Sequence, residues 1–190
     1  MNDKRALSIV EPFLTKERFD HTLRVAEEAK RLARIYEVDV SDIEIASIFH
    51  DYAKYRPLDE MKRIIEKSYL PKDLLTYHHE LWHGPVASIM IEQEYGITDQ
   101  QIKHAIYYHT TGRPRMSRFE MILFIADYIE PGRDFPGVDN VREAVQQSLE
   151  QATWKSLQQT IQFLSGKGRE IYPDTFHAYN YYTKRINGGH

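Results

Sequence analysis

The chain has 190 residues, which suits one domain, or one domain with an extension, and a core that buries roughly 70% of the unfolded surface. Hydrophobic residues make up 42%, charged residues 28%, and the net charge is -3, so no global basic field draws nucleic acid and an acidic substrate must be met by local groups. There is no cysteine to form a disulfide, thiolate ligand or nucleophile, no apolar run near the roughly 18 residues of a membrane span, and no signal-peptide pattern at the N-terminus, so a cytoplasmic enzyme or binding domain is expected, with neither nucleic acid nor membrane as partner.

Nearly every segment reads as helix. Residues 4–14 form a short one, and Thr15 opens a longer one through about Tyr36. The stripe of that second helix runs Val25, Ala26, Ala29, Leu32, Ala33 and Tyr36, with His21 on the same face. Ser41-Asp42-Ile43-Glu44 reads as a capping box, starting an apolar helix that carries His50 and Asp51 and closes at Tyr55-Arg56-Pro57. A weaker helix is expected from Asp59 to Lys67, then a short one from Pro71. Trp82-His83-Gly84-Pro85 reads as a break, with Pro85 in the first turn of a helix that Gly96 stops. Thr98 to Gln101 and Ser117 to Glu120 read as two further capping boxes. The first opens a helix with Ile102, Ala105, Ile106 and His109 on one face; the second opens one with Phe119, Ile122, Leu123, Ala126 and Asp127. A single long helix is expected from about Asp139 to Leu164, broken by Gly166-Lys167-Gly168 and followed by a tail rich in Tyr and Phe. With no convincing strand or repeat, the expected architecture is an all-α bundle, one domain over 1–190, with 139–190 as a C-terminal helical extension packed on it.

Polar side chains on those apolar faces carry the chemistry. A buried carboxylate costs several kcal/mol unless its charge is compensated. His21, His50, Asp51 and Asp127 come from three helices, each on or beside an apolar face, and a shared cation is the economical partner. Imidazole and carboxylate together suit Fe, Mn, Zn, Co or Ni rather than Ca or Mg alone. His83 and His109 form a second tier: they either help hold a second ion or face substrate, since six N and O ligands exceed one tetrahedral zinc. His78, His79, His104, His177 and His190 read as structural or surface residues, as do Arg113 and Arg115. Trp82 and Trp154 read as core or interface.

The order His21 … His50-Asp51 … Asp127 in an all-helical chain resembles the HD-domain metal-dependent phosphohydrolases, and Lys54, in His-Asp-x-x-Lys, is typical of them. Within that superfamily the YqeK-type branch is resembled in His83-Gly84-Pro85, His109-Thr110-Thr111-Gly112, Ala126 through Arg133 and Tyr172-Pro173-Asp174-Thr175, with no ligand position broken. That branch is described as symmetrical bis(5'-nucleosyl)-tetraphosphatase, cutting diadenosine tetraphosphate into two ADP, and is associated with iron. The resemblance therefore implies an HD-domain helical bundle in which His21, His50, Asp51 and Asp127 ligate one ion, with His83 and His109 on the phosphates or on a second. Lys54, Thr110 and Arg133 would contact phosphate oxygens, and Tyr172, Pro173, Asp174 and Thr175 would lie near the nucleoside. The expected catalytic set is Asp51, Lys54, His83 and His109; Asp51 or a neighbouring His takes the proton of the nucleophile. A 5'-nucleotidase, a cyclic-nucleotide phosphodiesterase and a non-catalytic metal-binding helical module are the alternatives. Oligomeric state is left open, a homodimer included.

Overall fold

A computed structural model describes residues 1–188, so the expectation for His190 lies outside the described residues. Among them there are ten α-helices and no strand. They are α1 (Asp3–Val10), α2 (Lys16–Ile35), α3 (Val40–Phe49), α4 (Leu58–Lys67), α5 (His83–Tyr95), α6 (Gln100–Tyr108), α7 (Arg118–Ile129), α8 (Val138–Ala144), α9 (Leu149–Gly166) and α10 (Pro173–Ile186). Short 3-10 turns at Glu11–Phe13, Lys72–Thr76 and His79–Leu81 fill the connections. Among the described residues no helix is long and apolar enough to cross a membrane.

The bundle is organised around α7. From Phe119 to Ala126 every residue of it is buried, so it is covered all round rather than along one stripe, with Glu120 the one charged side chain in that span. Helices α2, α3, α6 and α9 pack on it from different sides. Helix α5 is buried from His83 to Ile91 and lies against α6. Helix α10 docks on α9, burying Ala178 and Tyr182, and the Tyr182 hydroxyl accepts from the Met116 N–H at 3.1 Å.

Several boundaries differ from expectation. Helix α3 starts earlier than the box at Ser41 implies, because the Asp39 carboxylate accepts from the Ser41 and Asp42 N–H groups; Asp99 does the same for Gln101 and Ile102 at α6. Half of the box at Ser117 forms, its hydroxyl accepting from the Glu120 N–H, while the Glu120 carboxylate goes to Arg113. Helix α3 ends at Phe49, so His50 and Asp51 sit at its mouth-facing end and residues 51–56 turn away. The break near Trp82 falls one step sooner than expected, with His83 the first residue of α5. The long helix expected from Asp139 to Leu164 is two: residues 145–148 intervene, and the Ser148 hydroxyl caps α9 through the Gln151 N–H. Arg113 is not a free surface charge, since its guanidinium grips the buried Glu120 carboxylate at 2.7 and 2.8 Å. Trp82 and Trp154 are both half-buried, each with its indole N–H donated, to the Leu74 carbonyl and the Thr183 hydroxyl.

Candidate metal centre

Six polar side chains that the sequence scatters over a hundred positions converge between α2, α3, α5, α6 and α7. Asp51 stands at the middle, fully buried at the end of α3. Its Oδ2 lies 3.1 Å from His50 Nε2 and 3.9 Å from His21 Nε2. Asp127 Oδ1 closes that side, 3.0 Å from His21 Nε2 and 3.9 Å from His50 Nε2. The other oxygen, Asp51 Oδ1, faces His83 Nε2 at 3.2 Å and His109 Nε2 at 3.9 Å. His83 Nε2 and His109 Nε2 are 3.0 Å apart, and the Thr110 hydroxyl lies 3.1 Å from the latter.

Proton bookkeeping on the four imidazoles shows what this pocket suits. His50 Nδ1 donates to the Ser47 carbonyl, His83 Nδ1 to the Glu80 carbonyl, His109 Nδ1 to the Ile106 carbonyl, and His21 Nδ1 to the Glu130 carboxylate, at 2.6 to 3.0 Å. Carbonyl and carboxylate oxygens can only accept, so in each neutral ring the proton is on Nδ1 and the Nε2 lone pair points inward. The inward atoms are thus acceptors facing acceptors. His21 Nε2, His50 Nε2 and Asp51 Oδ2 are buried with no hydrogen-bond partner. Such orphaned lone pairs are costly unless a cation collects them. The ligand atoms of His21, His50 and Asp127 lie within 4.8 Å of one another, and so do those of His50, Asp51 and His109. The donor set fits a divalent transition metal.

Charge in the pocket is arranged accordingly. Burial acts to raise the Asp51 pKa, but His50 and His83 outweigh it and hold the carboxyl well below the usual range. Asp127, only partly buried, is also driven down: desolvation raises it, but the His21 hydrogen bond, His50 and Arg133 outweigh that. Burial lowers His50, and Asp51 beside it more than reverses that, so the carboxylates recruit positive charge to Nε2. His109, buried next to His83 and His50, is pushed down to about 3 and stays neutral.

A supporting layer was not legible as such in the sequence. Glu130 is almost fully buried; one oxygen takes His21 Nδ1–H, the other takes Arg24 Nε at 2.6 Å and the Gly132 N–H. Burial raises its pKa, but Arg24, His21 and Gly132 hold it down at about 2. Glu130→Gln keeps the shape but turns an amide NH2 toward Arg24 or His21, both donors. Metal affinity should fall about 10–100-fold, the usual cost of losing a partner behind a ligating histidine. Metal titration against a competing chelator measures this; wild-type affinity would show that His21 needs no such hold.

The remaining expected site residues are placed as follows. Arg133 clamps Asp127, Nη2 to Oδ1 at 2.7 Å and Nε to the carbonyl at 2.9 Å. Lys54 lies one turn beyond Asp51 and is ion-paired with Glu80, whose carbonyl holds His83. Tyr172 is buried edge-on to Tyr77, Thr175 is buried, and burial raises the Asp174 pKa. No ion pair or hydrogen bond joins Tyr172, Pro173, Asp174 or Thr175 to the six-residue cluster among the described residues. A cavity of about 290 Å³ opens over His21 and Glu130, lined also by Arg18, Arg24, Tyr55 and Arg133.

The HD domain family model matches residues 18–132, a span that takes in all six converging side chains. The chain belongs to the HD domain family. Beyond that span, the relatives of this HD domain extend the match through the C-terminal helices. A protein of Bacillus subtilis named symmetrical bis(5'-nucleosyl)-tetraphosphatase is 46% identical over 95% of this chain and 97% of its own. One of the same name from Staphylococcus aureus is 44% identical over 96% and 95%. Among solved structures, a predicted HD superfamily hydrolase involved in NAD metabolism from Clostridium acetobutylicum superposes with a TM-score of 0.90 at 38% identity, covering 96% of this chain and 97% of that one. The HD domain is a metal-dependent phosphohydrolase fold, and the His/Asp clusters here are where a divalent ion fits.

Proposed function

We propose that this chain hydrolyses diadenosine tetraphosphate symmetrically, water attacking one of the two central phosphates and ADP leaving, so that two ADP result. The converging lone pairs of His21, His50, Asp51, His83, His109 and Asp127 carry this reading, together with relatives of 44–47% identity that bear the name of that activity. On it, His21, His50, Asp51 and Asp127 would hold one ion, Asp51 with His83 and His109 would hold a second, and iron would be the metal. Bound there, the metal supplies Lewis-acid polarisation of a phosphoryl oxygen and acidifies a water at neutral pH.

The chain's own residues supply the rest. Asp51 shares its two oxygens between the halves of the pocket, orients the nucleophile and takes its proton. The Thr110 hydroxyl donates to a phosphate oxygen at the His109 side. Arg133 steadies Asp127 and turns its remaining N–H groups to the mouth, while Lys54 supplies positive charge close to Asp51. Three guanidinium groups, Arg18, Arg24 and Arg133, face four carboxylates, Glu17, Asp51, Asp127 and Glu130, so the shell carries no positive surplus. Each of the four substrate phosphates carries a negative charge, and much of it would fall to a bound metal. This agrees with an acidic protein acting on an acidic substrate.

Metal analysis of freshly purified protein, joined to product identification from diadenosine tetraphosphate, tests this. ADP as sole product with bound iron is expected. ATP with AMP, or a nucleoside, would overturn it in favour of another HD-type phosphohydrolase.

A further inference from the structure

We propose that Arg18 is a phosphate-binding residue of this site, the group that grips the phosphoryl being transferred and later the product's terminal phosphate. The inference rests on the functional reading above. Arg18 lies one helical turn before His21 on α2, so the two side chains share a face. Its stem crosses from the cavity mouth to the cluster, where Nη1 reaches 3.0 Å from Asp51 Oδ2.

Three arginines line that mouth, and their commitments differ. Arg24 is tied through Nε and Nη2 to Glu130. Arg133 is tied through Nε and Nη2 to Asp127. Arg18 has a single carboxylate contact, Nη1 to Asp51 Oδ2 at 3.0 Å, and among the described residues no ion pair runs through its Nε or Nη2. A charged fork held to one carboxylate through Nη1 alone, where Arg24 and Arg133 are each held through two nitrogens, suits two oxygens of a phosphate. Tyr55 lines the mouth beside it and limits the directions in which the fork can swing. Whatever the cluster binds through its inward lone pairs, Arg18 is within one phosphate width of it.

The test uses metal-loaded protein and ADP as the probe. In Arg18→Ala the calorimetric affinity for ADP should fall at least about tenfold, with metal content unchanged. The kcat/KM on diadenosine tetraphosphate should fall about 10²-fold, as when one donor to a developing oxyanion is removed. Added guanidinium ion at millimolar concentration should restore part of it. Arg18→Lys keeps charge and stem but not the fork, and should fall between wild type and alanine. ADP affinity within about threefold of wild type in Arg18→Ala would overturn the inference, as would loss of metal in step with loss of activity. Wild-type protein that binds ADP through Arg18 yet leaves diadenosine tetraphosphate uncut would sink the functional reading and spare this one.

Discussion

Asp51→Ala should lose turnover by at least about 10³-fold and should lose all bound metal, not half of it. Asp51 is the one carboxylate with an oxygen on each side of the pocket: Oδ2 toward His50 and His21, Oδ1 toward His83 and His109. Removing it leaves His83 and His109 with no carboxylate and His21 and His50 with Asp127 alone, and Lewis-acid stabilisation worth several kcal/mol goes with the metal, at about 1.4 kcal/mol per factor of ten. Asp127→Ala gives the internal comparison. Asp127 touches only the His21 and His50 side, so its loss should release one equivalent and leave the other. Metal analysis of the two variants beside wild type decides the matter. Equal losses from both, or an Asp51→Ala protein that keeps its metal and its turnover, would remove the shared-carboxylate arrangement. Asp51→Asn guards against misfolding as the cause, because it preserves the side-chain volume at a fully buried position while removing the charge.

How far such a centre can be read from a sequence depends on which physical constraint writes each residue into it. His21, His50 and Asp127 interrupt apolar helical faces, and a polar group at a buried position needs a reason, so periodicity alone exposes them. His83 and His109 stand at helix ends, where capping is an equally good reason; only the fold brings their Nε2 atoms 3.0 Å apart. Arg18 and Glu130 left no periodic trace. Their partners lie in other elements, 33 positions away at Asp51 for Arg18 and 109 positions away at His21 for Glu130, and the chain has 25 Lys and Arg from which to choose. The same limit explains Arg113, whose burial depends on Glu120 turning inward beneath it. The split of the C-terminal helix was legible in principle. Ser148 and Gln151 have the spacing of a capping box, hidden by an apolar pattern that runs through both helices. At α3 the cap is Asp39, two residues before Ser41, and at α6 it is Asp99, one residue after Thr98; in both a carboxylate takes two N–H groups where a hydroxyl takes one.

The glycine in His83-Gly84-Pro85 carries the second large effect. In Gly84→Ala the added methyl would lie 2.9 Å from the Ile106 carbonyl oxygen, 3.0 Å from that of Tyr107 and 3.2 Å from His109 Nδ1. The first two are backbone at the end of α6, so no side-chain rotation relieves them; α5 and α6 must separate. Overpacking of this kind costs about 1–3 kcal/mol, partly offset by the roughly 1 kcal/mol that alanine gains over glycine in a helix. Net destabilisation should therefore stay small, a fall in Tm of a few degrees for a chain of this length. The site should suffer more than the fold. The Ile106 carbonyl that the methyl crowds is the one holding His109 Nδ1–H at 2.7 Å, so the clash both displaces His109 and loosens its tautomer. His83, next to Gly84 on α5, moves the other way. A displacement of about 1 Å is enough to cost about 10²-fold in rate. Gly84→Ala should thus melt near wild type, keep the ion on the His21 side, lose the one between His83 and His109, and turn over about 10²-fold more slowly. Scanning calorimetry, metal analysis and kinetics on one preparation check all three. A variant with full metal content and unimpaired turnover would mean that the close approach of α5 and α6 serves packing alone.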